Sequence, residues 1–217
     1  MMNKHDKERA VKGALSLAAL IAASISGLIF FFLFYFSLPI LSSGLIGDFL
    51  TRGWDPDKGV LGIFPMIVGT IYIAGLAMIW ATPIGIGLAA FIQVFAPKPL
   101  GKILRWTVEF MTGIPTVVYG FAALFFLVPA IRRIFSYGTG LSVLTASVML
   151  ALLVLPTITL IAQDRLSTVP KSQVLAALSL GASRMETFLH VLLPGAWRGL
   201  ISAVVIGAGR AVGDTII

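Results

Sequence analysis

The chain has 217 residues, of which 58% are hydrophobic and 12% charged, with a mean hydropathy of +1.00. An average soluble domain is about half apolar and about a quarter charged, so this balance belongs to a protein dissolved in a bilayer. Cysteine is absent, which excludes disulfides and thiolate chemistry. The formal charge of +7 would suggest nucleic acid in a soluble chain, but here topology accounts for it and no nucleic-acid partner is inferred.

Charge-free stretches run over 13–47, 59–97, 110–131, 134–163 and 199–209. Each of the first four can hold a spanning helix of roughly 20 residues. The first follows Lys4, Lys7, Arg9 and Lys12; it is too long for a cleaved signal peptide and lacks a small-residue cleavage pattern, so it reads as a retained anchor behind a tail of residues 1–12. The predicted helix covers about 14–36 and closes at Leu38-Pro39, because the residue before a proline is pushed out of the α region. A polar loop over 47–59 follows, with Asp48, Arg52, Trp54, Asp55, Pro56, Asp57 and Lys58.

The stretch 59–97 predicts an entry turn and a long helix kinked by Pro83, buried among other helices because proline frees backbone groups that only protein or water can satisfy. Ala96-Pro97-Lys98-Pro99 ends it, and Lys98, Lys102 and Arg105 mark a basic loop. A third helix is predicted over 106–128, interrupted at Gly113-Ile114-Pro115 and closed by Arg132 and Arg133. A fourth runs over 141–163 with Pro156 as a kink, and a fifth from about Gly199 toward Ile217.

Alternate loops differ in basic charge. The tail carries four Lys or Arg, 98–105 three and 164–198 four, whereas the opposite loops carry Arg52, Lys58, Arg132 and Arg133 in all. The positive-inside rule then puts the N-terminus and 164–198 in the cytoplasm of a multi-pass cell-membrane protein; the Arg132-Arg133 pair runs against it.

Within 164–198, Val174, Ala177, Leu178 and then Phe188, Val191 and Leu192 recur at helical spacing. Two short amphipathic helices joined at Gly181 follow, a docking surface for a soluble partner or a helix resting on lipid headgroups. Ala176, Ala177, Gly181, Ala182, Val191, Leu193 and Pro194 are similar to the EAA loop of ABC importer permeases, with Leu175 in place of its usual acidic residue. Trp54-Asp55-Pro56, Thr82-Pro83-Ile84-Gly85 and Gly113-Ile114-Pro115-Thr116-Val117-Val118-Tyr119-Gly120 resemble phosphate-specific permeases of the PstC type, over nearly the whole chain.

That resemblance implies an all-α integral membrane protein: a single permease domain over 13–217, a polytopic helical bundle of the type I importer kind. About five spanning helices fall in this chain and a sixth is expected beyond Ile217. It implies a non-enzymatic transport subunit whose 164–198 loop couples to a separate ATP-binding ATPase dimer. The other implied partners are a second, PstA-like permease, an external phosphate-binding protein, phosphate itself and membrane lipid.

Arg210 and Asp214 fall near mid-membrane, where an ionisable side chain costs roughly 2.5 kcal/mol or more on insertion scales. Spaced one helical turn apart, they share a face. Either they form an internal salt bridge that holds the bundle, or they line an anion pathway, since guanidinium matches the oxygens of phosphate. The segment Gly209-Arg210-Ala211-Val212-Gly213-Asp214-Thr215 resembles the family's Gly-Arg-Ala-x-Gly-Glu-Thr, whose Arg and Glu are associated with phosphate transport. The shorter Asp brings its partner closer or needs a bridging water. Glu109 is expected to pair with Arg105 at the interface, and His190 to be a polar helix residue.

Neither a phosphate loop, a nucleophile elbow nor a zinc-ligand pair occurs, so no catalytic, metal or cofactor site is assigned to the chain. The rival cargoes are molybdate and sulfate; the rival classes are a transport-inactive scaffold or regulatory protein and an ion channel, for which no repeated-carbonyl filter or charge ring is visible.

Overall fold

The computed structural model describes residues 4–42, 46–135 and 138–215. Contacts divide the chain into two units, Met1–Pro65 and Met66–Ile217. Among the described residues, five helical stretches are long and apolar enough to cross a membrane: Val11–Pro39, Phe64–Phe95, Thr116–Phe135, Val143–Ser167 and Arg184–Gly213.

The first unit holds α1 (Lys4–Ser42), the short α2 (Ile46–Thr51) and a hairpin of β1 (Trp54–Asp55) with β2 (Val60–Leu61). The helix expected over 14–36 thus reaches back into the basic tail and runs on through Pro39. There the proline removes one hydrogen bond and crowds the carbonyl four residues before it, a cost the helix bears. Nor is 47–59 an irregular loop: α2 closes with an Asp48–Arg52 ion pair of 2.7 Å, and Gly59, at φ 68°, turns the strands around Pro56–Lys58.

The second unit is built around α7 (Val143–Ser167), half of whose apolar window is buried. Ser142 caps it, accepting the Thr145 N–H at 3.2 Å. Two helices lay small-residue stripes against it. α3 (Phe64–Ala90) buries Ala77, Ala81, Gly85 and Ala89, and α10 (Leu193–Gly213) buries Ala203, Gly207 and Ala211, each set at four-residue spacing. Ile158 fills the space both stripes leave. A Cβ on Gly207 would lie 2.6 Å from its Cγ1 and one on Gly85 3.0 Å from its Cγ2. Lipid tails are as apolar as leucine, so helix association in a bilayer depends on this close packing rather than on hydrophobicity.

Three π-turns, with i→i−5 hydrogen bonds, interrupt the helices. Phe91–Phe95 ends α3; Ala123–Leu127 joins α5 (Thr116–Ala122) to α6 (Val128–Phe135); Phe188–Leu192 joins α9 (Arg184–Thr187) to α10. Two expectations are corrected here. The helix predicted over 106–128 does break at its expected interruption, but its bounds differ: amphipathic α4 (Lys98–Thr112) takes in the expected basic loop and ends at Gly113, and the span runs from Thr116 to Phe135 after Pro115, which has no N–H to continue the ladder. The fifth helix starts at Arg184, not near Gly199, and passes straight through Pro194. That proline sits where bonding changes from i−5 to i−4, a point at which a missing N–H costs little. Residues 1–3 of the expected tail and the last two positions of the expected fifth helix lie outside the described residues.

Candidate functional site

Two clusters bear the sequence-predicted site residues, and both belong to the second unit. The first is on α10. The arginine and aspartate meet as their spacing requires: Arg210 Nε donates to Asp214 Oδ2 at 3.2 Å, with both side chains only partly exposed, 30% and 26%. The shorter acid reaches the guanidinium directly, without a bridging water. A second contact was not foreseen. Arg210 Nη1 donates to Thr157 Oγ1 of α7 at 2.5 Å, tying α10 to the middle of the central helix. Among the described residues nothing pairs with Nη2, so one edge of the guanidinium fork is left for an external acceptor.

This geometry follows from the packing beneath it. Gly207, about one turn before Arg210, and Ala211, directly after it, are buried, and Gly207 lies against Ile158 of α7, so the two backbones approach closely enough for the arginine side chain to bridge them. Asp214 caps α10, its N–H donating to Arg210 O at 2.9 Å. Its side chain faces outward into a cavity of about 360 Å³, which also has Tyr119, Ser142, Thr145 and Thr215 on its wall. Tyr119 is nearly buried and donates from its hydroxyl to Met111 O at 3.0 Å, bridging the Gly113–Pro115 break. Asp214 is the charged side chain on that wall; Arg210 does not line the cavity and reaches it only through its contact with Asp214. Thr157 carried a faint sequence signal, as a hydroxyl beside Pro156 in an apolar span; Tyr119 lay within the Gly-Ile-Pro motif but had no chemical signal of its own.

The second cluster is the 164–198 segment. It contains α8 (Lys171–Ser179), a turn and α9, the two short helices that the spacing predicts. Gly181 adopts φ 87°. Its N–H donates to Leu178 O at 3.0 Å and that of Ala182 to Ala177 O at 3.1 Å, the paired bonds of a Schellman cap. Ser183 then starts α9 in a capping box with Glu186, the Ser183 N–H donating to Glu186 Oε2 at 2.7 Å. Ala176 and Pro194 are exposed, whereas Ala177, Ala182, Val191 and Leu193 are half-buried, Val191 and Leu193 on the core that α7 and α10 share. Leu180 is 90% exposed and Leu175 62%, so the turn presents bare apolar side chains.

The remaining expectations are met in place. Arg105 donates to Glu109 at 2.7 Å, and its other edge lies 4.0 Å from Asp164 at the end of α7. His190 Nδ1 lies 3.0 Å from Glu186 O within its own helix. No group of three metal-ligating side chains occurs among the described residues.

The central helix, small-residue stripes and paired short helices define a multi-pass membrane protein with the fold of a type I importer permease. The chain belongs to the family described as binding-protein-dependent transport system inner membrane component, whose model matches residues 81–217. Among its relatives, the probable ABC transporter permease protein YqgH of Bacillus subtilis is 40% identical over 78% of this chain and 56% of its own length. The phosphate transport system permease protein PstC of Mesorhizobium japonicum is 30% identical over 92% and 67% respectively, and that of Haemophilus influenzae 32% over 78% and 60%. The chain thus spans between about half and two thirds of the length of these curated relatives. Among solved structures, the inward-facing MetNI methionine ABC transporter superposes with a TM-score of 0.60 at 23% identity, over 70% of this chain and 72% of the matched one, a likeness of fold.

Proposed function

We propose that this chain is the permease subunit of a binding-protein-dependent ABC importer for inorganic phosphate, with Arg210 and Asp214 on the anion's path. The observation that carries this reading is the Arg210 fork: held at the last turn of α10 by Asp214 and by Thr157 from the middle of α7, it keeps Nη2 free for an oxyanion among the described residues. Such a site has to hold phosphate weakly enough to release it. Asp214 serves that end, because its carboxylate partly neutralises the arginine and repels a second negative charge. Relatives named for phosphate transport support the choice of cargo.

The N-terminus and the α8–α9 segment face the cytoplasm, in accord with the excess of Lys and Arg in those loops. There the bare Leu175 and Leu180 meet a partner ATPase dimer, which binds ATP and drives the cycle; the permease itself performs no chemistry. Ala176, Ala177, Gly181 and Ala182 shape the docking turn, and Val191, Leu193 and Pro194 pass its movement into α10. A PstA-like second permease and an external phosphate-binding protein complete the machine.

The test is ATP-dependent uptake of labelled phosphate by proteoliposomes holding the full-length protein with its partner permease, ATPase and binding protein, in the presence of excess sulfate or molybdate. Uptake that neither oxyanion suppresses is the expected result. Suppression accompanied by uptake of labelled sulfate or molybdate would reassign the cargo, and failure to move any of the three would favour a transport-inactive scaffold.

A further inference from the structure

At the end of α7 opposite the Arg210 cluster, a groove of about 320 Å³ opens between the π-turn that ends α3 and the α8–α9 pair. Its floor is apolar, with Val94, Leu166, Val174 and Leu192. Lys171 and Arg184 line it, both exposed and neither in an ion pair among the described residues; no acidic residue lines it. Thr187 lines it as well. That side chain is 2% exposed, yet its hydroxyl has no hydrogen-bond partner among the described residues. A buried hydroxyl left unpaired costs roughly 1–3 kcal/mol, so it signals an acceptor that belongs to another molecule.

We propose that this groove binds one anionic phospholipid, its phosphate held by Lys171, Arg184 and the Thr187 hydroxyl and an acyl chain laid along the apolar floor. Free inorganic phosphate would use the cations and waste the floor; a soluble peptide would have no reason to lie where two spans end. The groove lies where the candidate spans Phe64–Phe95 and Val143–Ser167 both end, and basic pockets between helices on the cytoplasmic side suit anionic headgroups. The choice of leaflet rests on the orientation proposed above. Because Val174 is on α8 and Thr187 on α9, the lipid would brace the coupling segment against α7, linking membrane composition to the surface that meets the ATPase.

Native mass spectrometry of the full-length protein in its assembled importer, released from nanodiscs with equal phosphatidylglycerol and phosphatidylcholine, tests the assignment. One tightly retained lipid should be phosphatidylglycerol in preference to phosphatidylcholine by roughly thirtyfold, the ratio that two basic side chains near a headgroup supply. Lys171→Gln with Arg184→Gln should bring that ratio near one, and Thr187→Val should lower it by roughly fivefold. A native ratio near one overturns the proposal, as does a double variant that keeps the native ratio. Displacement of the lipid by millimolar inorganic phosphate overturns it too, in favour of a phosphate site. If the double variant does not assemble, Thr187→Val and Lys171→Gln singly are read in the same way. Retention is measured without transport, so a native importer that takes up phosphate but shows no lipid preference refutes this site alone, and one that shows the preference but takes up no phosphate refutes the phosphate reading alone.

Discussion

Arg210 is restrained by two contacts of unequal character, a charged one within its own helix and a neutral one to α7. The Asp214 contact moves with α10, whereas the Thr157 contact at 2.5 Å spans two helices and is the one a change in helix spacing would break. Thr157→Val keeps the shape and removes the acceptor. It should lower phosphate uptake by roughly fivefold, the worth of one hydrogen bond, while leaving assembly with the ATPase unchanged; this is read as uptake per assembled complex. Gly181 carries a different kind of constraint. Its φ of 87° is a conformation that costs a residue with a Cβ about 1–2 kcal/mol. Gly181→Val should therefore loosen the α8–α9 turn and raise amide hydrogen exchange at Ala182 and Ser183, with exchange across α7 unaffected.

At the scale of helices, the fit of α10 on α7 depends on which glycines face inward. A Cβ at Gly207 would collide with Ile158, while one at Gly209 meets nothing within 4 Å. Gly207→Ala should lower stability by about 1–3 kcal/mol and Gly209→Ala should not, a contrast visible in thermal unfolding of the detergent-solubilised protein. Element existence was legible from charge-free stretches, and the α8–Gly181–α9 hairpin from helical spacing plus one glycine. Helix ends were not. Pro39 reads as a terminator in the sequence, yet it lies inside α1, and Pro194 sits within the fifth span because beside a π-turn it removes a bond that was absent already. Pro115 does terminate, being preceded by a glycine that caps α4. Arg210 and Asp214 stood out because charge is rare in an apolar span. Thr157 and Tyr119 did not, because a hydroxyl in a membrane helix usually bonds to its own backbone, as Thr159 does to Leu155 O at 2.8 Å.

For the whole molecule, orientation decides which surface meets which partner. The chain has no cysteine, so single-cysteine labelling needs no background removed. A membrane-impermeant maleimide should label Ser172→Cys in inverted vesicles and Thr139→Cys in right-side-out vesicles; both positions are exposed, at opposite ends of α7. The reverse pattern would place α8 and α9 outside the cell and separate them from any cytoplasmic ATPase.

The central claim is that Arg210 handles the cargo rather than merely pinning α10, and ATP-dependent phosphate uptake by the reconstituted importer compares the two directly. Arg210→Gln can still accept or donate to Thr157 but offers no charge to an anion. The account predicts a loss of uptake of at least about tenfold, the worth of one charge-assisted hydrogen bond, in a complex that still assembles and hydrolyses ATP. Uptake equal to that of the native protein would contradict it and leave the arginine a structural tie between α10 and α7.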